Sequence, residues 1–324
     1  MYSKNIDYEK MIKSFLEFKR SLGYKYRVEE TTLKAFYKYT NEHTDAKLGL
    51  TKEFMQTWAT LSIRESRKSL SNRVSLLREF ALYLSRIGYK VYILKPVKNA
   101  KNRAFIPYIF SHEEMQKIFH HIDNLPVCPN NSYNSNEIYP ILFRVLYGCG
   151  LRISEALHLK IKEVDTITGK IEINIAKNDK QRVVMMSESL REICHVYKSQ
   201  YLLLKDEKST FFQHKNGSIR SISQVNKFFR NILWRCEIVY LGRGKGPYLH
   251  NLRHTFSSHS FYKMHSNDID MNVALPILST YLGHEGIQAT ERYLKLATSI
   301  FPEMIANISA ISSSIYREVS FENE

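Results

Sequence analysis

Five side chains follow one another from residue 152 onward, and their types suit one kind of chemistry. Arg152 stands in Gly150-Leu151-Arg152-Ile153-Ser154-Glu155. His250 and Arg253 lie in the run HNLRH, His284 follows in Leu282-Gly283-His284, and Tyr293 comes nine residues later. A phosphodiester resists cleavage because its charge repels nucleophiles and its alkoxide leaves poorly. A catalyst must neutralise the non-bridging oxygens, supply a nucleophile and protonate the leaving oxygen. Guanidinium groups do the first, being planar, permanently charged and bidentate toward oxyanions. Arg152 follows a glycine-marked turn and opens a helix, where its head can reach a phosphate. His250 and Arg253, at i and i+3, share a helix face. Tyr293 is the candidate nucleophile; a free phenol has a pKa of about 10, so a neighbouring base or cation must help it. Lys177 sits in the turn Lys177-Asn178-Asp179-Lys180 between two β-type runs, placed to protonate a leaving oxygen.

None of these residues argues alone. Tyr293 is one of 21 tyrosines, most of which pack in cores or on amphipathic faces. Arg152 by itself reads as a surface residue, His284 as a hydrogen-bonded structural histidine and Lys177 as a solvated loop lysine. Order and spacing together carry the reading. A metalloprotease is excluded, because Asn251 occupies the position where a His-Glu-x-x-His site needs its base. Gly242, Gly244 and Gly246 have neither the spacing nor the βαβ surroundings of a dinucleotide site.

The elements that must position these groups divide in two. The 324 residues suffice for two cores, and the formal charge of +15 favours a polyanionic partner. Residues 1–104 hold 22 Lys+Arg against 10 Asp+Glu, net +12, whereas residues 105–324 carry net +3. The basic N-terminal part therefore reads as a domain lying along a phosphate backbone. Helical periodicity covers 5–22, 28–43, a short helix after the N-cap Thr51, and 66–87. Arg64, Arg67, Lys68 and Arg73, interleaved with serines, suit phosphate contacts. Residues 95–104, with Pro96, Lys98, Lys101 and Arg103, read as an extended basic linker able to run along DNA. Beyond it, Ser111 opens a helix with a capping box, and 124–136 form a polar loop. A helix runs through Tyr147, and another starts near Ser154 after Gly148-Cys149-Gly150. Residues 164–187 switch to β period around the 177–180 turn. Helices return at 188–204, 221–237, 250–264, 271–282 and 286–298. The expected fold is mainly α with a small antiparallel β-sheet, in two domains: 1–94 helical and DNA-binding, then 105–324 with a helical tail from about 300. No signal peptide or membrane span is expected, and the cytoplasm is the default compartment. The scattered cysteines, Cys128, Cys149, Cys194 and Cys236, point to neither a zinc site nor a disulfide framework.

The combined motifs resemble the tyrosine recombinases of the phage-integrase family, which includes the Xer proteins. The match covers G-L-R-x-S-E at 150–155, the hairpin Lys177 ahead of Arg182-Val183-Val184, H-x-L-R-H-T-F at 250–256, and L-G-H followed by T-x-x-Y at 282–293. The resemblance implies a SAM-like core-binding domain followed by a catalytic domain, the two clamping the duplex. It implies that Arg152, Arg253 and His284 hold the scissile phosphate and that Tyr293 forms a 3′-phosphotyrosyl link. It also implies Lys177 as the general acid, His250 as a proton-handling or positioning group, and Glu155 as support. No metal or other cofactor is expected. The implied partners are double-stranded DNA recombination sites and three further protomers, forming a homo-tetramer or a hetero-tetramer with a related recombinase. An apolar tail stripe, Met304, Ile305, Ile308, Ile311 and Ile315, is expected to dock on a neighbouring protomer. Integration or excision of a mobile element and resolution of DNA dimers both fit. A type IB topoisomerase and a non-catalytic DNA-binding regulator are the competing readings.

Overall fold

α1 (Tyr8–Ser21) starts where the Asp7 carboxylate accepts from the Lys10 N–H at 3.0 Å, and it buries Ile12, Phe15 and Leu16. The computed structural model in which it lies describes residues 2–3, 5–60, 62, 65–97, 107–125, 135–174, 181–242 and 246–283. Lys177, His284, Tyr293, Arg64, Lys98, Lys101, Arg103, Cys128, the expected helix 286–298 and the apolar tail lie outside the described residues. The chain divides into two compact units, Met1–Phe105 and Ile106–Glu324.

In the first unit α1 is followed by α2 (Arg27–Glu42), α3 (Lys52–Trp58) and α4 (Arg67–Arg86). Side-chain acceptors start the later two: Thr51 caps α3 and Ser66 caps α4, each satisfying a backbone N–H that the helix leaves orphaned. Phe15, Phe36, Leu77 and Phe80, one or more from each of the three longer helices, are fully buried at the centre of the unit.

The second unit opens with α5 (His112–Asp123), whose Ser111 and Glu114 form the expected reciprocal capping box. α6 (Ser135–Gly148) runs to the glycine break, and α7 (Ile153–His158) follows it. β1 (Lys170–Ile173) and β2 (Arg182–Met185) pair antiparallel, with Ile171 opposite Val184 and Ile173 opposite Arg182. α8 (Glu188–Tyr197) is shorter than the expected 188–204 helix, because the chain widens into a π turn over Lys198–Leu202. α9 (Ile222–Arg235), α10 (Asn251–Ser266) and α11 (Met271–Leu282) complete the described elements. Phe110, Phe143, Phe211 and Phe229 centre the main core. Phe261, Ala274, Leu278 and Leu282 join α10 to α11. Cys149, Cys194 and Cys236 are free and buried. Among the described residues no helix is long and apolar enough to cross a membrane.

Candidate active site

Glu155 organises the site. It lies in the third position of α7, with its side chain 1% exposed. One carboxylate oxygen accepts from Arg152 Nη1 at 2.7 Å and from Arg182 Nη1 at 3.1 Å. The other accepts from the Arg152 backbone N–H at 2.9 Å and from Arg182 Nη2 at 2.8 Å. Four donors fill the four acceptor positions a carboxylate offers. Burial alone would push this carboxyl up; the Arg182 hydrogen bonds and the Arg152 N–H outweigh it and hold the pKa at about 2.

Arg253 stands 3.9 Å from the same carboxylate and is only 2% exposed. Its Nη1 donates to the Gly150 carbonyl at 2.8 Å and its Nη2 to the Leu282 carbonyl at 2.5 Å. One guanidinium thus ties the first turn of α10 to the break before α7 and to the end of α11. Arg152 is more open, its side chain 23% exposed, with Nη2 at 3.4 Å from the Gly283 carbonyl. Three guanidiniums surround one carboxylate, an excess of positive charge that suits an anion.

His250 immediately precedes α10 and is exposed. Crowding by surrounding atoms, and then repulsion from Arg253 and Arg152, hold its pKa well below the ordinary histidine value. At neutral pH the ring is uncharged and can accept a proton. Asn251, beside it, is a tie rather than a reactive group. It accepts from the Tyr248 N–H at 2.6 Å and donates to the Tyr108 carbonyl at 2.7 Å.

Gly150 is needed for two reasons. Its φ is +60°, and a Cβ there would stand 2.4 Å from Phe256 Cδ1. Its carbonyl is the one that receives Arg253. Gly150→Ala is expected to destabilise the second unit by roughly 2–4 kcal/mol, combining left-handed strain with overpacking. A urea unfolding midpoint unchanged from the parent chain would refute this.

The basic candidates of the first unit separate. Arg67 and Lys68 are exposed in the first turn of α4, which holds no acidic residue. Cations there oppose the helix dipole, so local stability does not explain them. Arg73, expected alongside them, turns inward. It pairs with Glu65 at 2.7 Å, donates to the Thr60 carbonyl at 3.1 Å and to that of Trp58, and stacks 5.1 Å from the Trp58 ring.

Residues 109–299 match the sequence profile of the phage integrase family. The chain belongs to that family. It is a tyrosine recombinase, a DNA strand-exchange enzyme. A putative integrase/recombinase of Sinorhizobium fredii, y4rB, is 25% identical over 93% of this chain and 96% of its own length. Tyrosine recombinase XerA of Pyrococcus horikoshii is 26% identical over 67% of each chain. In fold, the recombinase is similar to a XerH site-specific recombinase solved bound to a palindromic difH substrate after cleavage. The TM-score is 0.60 and the identity 22%, over 86% of this chain and 78% of that one.

Arg152, Glu155, His250 and Arg253 of this recombinase were singled out from sequence and lie together in the structure. Arg182 was not. A signal for it exists: Val184 is buried on the inner face of β2, and period 2 puts Arg182 on that same face. A cation on a core-facing position requires a buried acid, and Glu155 is that acid.

Proposed function

We propose that this recombinase cleaves and rejoins duplex DNA at specific sites through a 3′-phosphotyrosyl intermediate on Tyr293. The observation that carries the reading is the convergence of Arg152 and Arg253 on one buried carboxylate, with His250 beside them. Arg152, Arg253 and His284 hold the non-bridging oxygens. The Tyr293 phenol oxygen forms a bond to phosphorus as the bond to the 5′ oxygen breaks. The phenol proton passes toward His250, and Lys177 protonates the departing 5′ oxygen. Glu155 supports the arginines. The phosphodiester energy stays in the covalent link, so a 5′-hydroxyl of a second strand reverses the attack without ATP or metal.

Residues 1–94 act as the core-binding domain, 95–104 as the linker and 105–324 as the catalytic domain. Arg64, Arg67, Lys68, Lys98, Lys101 and Arg103 contact phosphates, and Arg73 holds the start of α4 in place for them. The working assembly is a tetramer on two DNA sites. Its task is integration or excision of a mobile element, or resolution of DNA dimers. The likeness to proteins named integrase/recombinase and tyrosine recombinase supports this range over topoisomerase relaxation.

The test is covalent trapping on a nicked recombination site. Tyr293→Phe is expected to abolish the protein–DNA adduct while duplex binding is retained. An adduct that persists in the variant would sink the assignment, and relaxation of supercoils without site preference would favour the topoisomerase reading.

A further inference from the structure

We infer that Arg182 is a positioning residue for tyrosine attack: it takes up the charge of Glu155 so that Arg152 meets the phosphate as an uncompensated cation. The inference rests on the recombinase mechanism proposed above. The geometry is specific. Arg182 forms a two-point pair with Glu155 in which both side chains are buried, 8% and 1% exposed. It supplies two of the four donors on that carboxylate. Arg152 contacts the same carboxylate from a more open position. If Glu155 had only Arg152 as its charged hydrogen-bond partner, the pair would be nearly neutral and would compete with a phosphate for the Arg152 guanidinium. A second, closed ion pair removes that competition.

Arg182 also reaches a third element. Its Nε donates to the Tyr281 carbonyl at 2.9 Å, in the last turn of α11. Its side-chain stem lies against Gly283, where an added Cβ would stand 3.2 Å from Arg182 Cδ. Gly283 is left-handed, with φ +65°, and immediately precedes His284 in sequence. Arg182 is also five residues after Lys177 in the sequence. One guanidinium therefore links the start of α7, where Arg152 stands, to strand β2 and the end of α11.

The charge role makes a prediction that simple packing does not. Arg182→Met should leave Glu155 to Arg152 and slow adduct formation on a nicked duplex by about 100-fold, the low end of the loss when one group stabilising transition-state charge is taken away. The loss should appear in the rate at saturating DNA, with the half-saturating DNA concentration changed less than about threefold. Adding Glu155→Gln to Arg182→Met removes the competing charge and should recover at least about tenfold of the rate, because Arg152 is freed again. Arg182→Lys keeps the charge but cannot bridge both oxygens and the Tyr281 carbonyl, and should be slowed about tenfold. Far-UV thermal melts show which variants are folded. If Arg182→Met does not fold, Arg182→Lys and the double variant are each compared with the parent chain. Parental rates in the single variants, or a double variant no faster than Arg182→Met (or, where that does not fold, one about 100-fold slower than the parent chain), would overturn the inference. Absence of any adduct with the parent chain would instead overturn the recombinase mechanism itself.

Discussion

Arg253→Met is expected to lower the rate of covalent capture on a nicked site on the order of 10³-fold, the range seen when a group stabilising transition-state charge is removed. Two losses combine. The first is electrostatic: a permanently charged guanidinium, 2% exposed, acts in surroundings that screen it poorly. The second is positional. Arg253 holds the Gly150 and Leu282 carbonyls together, and methionine leaves both without this donor at a cost of roughly 1–3 kcal/mol each. The rate loss is therefore accompanied by a lower urea midpoint. Arg253→Lys separates the two effects, since it retains charge but cannot span both carbonyls. Duplex binding by the basic first unit is expected to change little in either variant, as measured by fluorescence anisotropy. Capture by Arg253→Met within tenfold of the parent would remove this residue from the phosphate site.

How much of this was legible in sequence depends on which physical rule each residue obeys. Local rules read well. Thr51 and Ser111 announce their helices because a hydroxyl accepting an orphan N–H leaves a short-range signature. The β1–β2 pair is visible because half-buried strands alternate. Arg152 and Arg253 were found through ordered motifs and not through periodicity. α10 buries Asn251, Arg253, Thr255, Ser257 and Ser258, so its inner face is polar and its hydrophobic pattern is nearly flat. Such a helix is held by directed bonds: Thr255 accepts from the Phe110 N–H, and Ser257 donates to the Arg253 carbonyl. These partners are far apart in sequence or depend on backbone placement, so no window of residues shows them. Arg73 and Arg182 share a different difficulty. A basic residue in a basic chain reads as a surface charge. That Arg73 finds Glu65 and Arg182 finds Glu155 is settled by tertiary approach.

Glu155→Ala is expected to be the most destabilising single change at the site, by about 3–5 kcal/mol, because it leaves buried guanidiniums without their counter-charge. The pair has little intrinsic excess stability, since desolvating three arginines and a carboxylate offsets most of their attraction. What is costly is breaking it. The same residue sets a pH dependence whose sign is fixed. The folded-state pKa of Glu155 is about 2, below the ordinary 4.5. Its contribution is thus complete above the unfolded value and is lost as pH falls through the interval toward about 2. At about 1.4 kcal/mol per unit, the contribution lost is roughly 3 kcal/mol. Because the side chain is 1% exposed, solvent screening reduces it little. Urea midpoints of the parent chain should therefore fall more steeply with acid below about pH 4.5 than those of Glu155→Gln, which has no carboxylate to protonate. Parallel acid profiles for the two proteins would show that the arginines do not hold this charge. The proposed presentation of Arg152 to a phosphate would then lose its electrostatic basis.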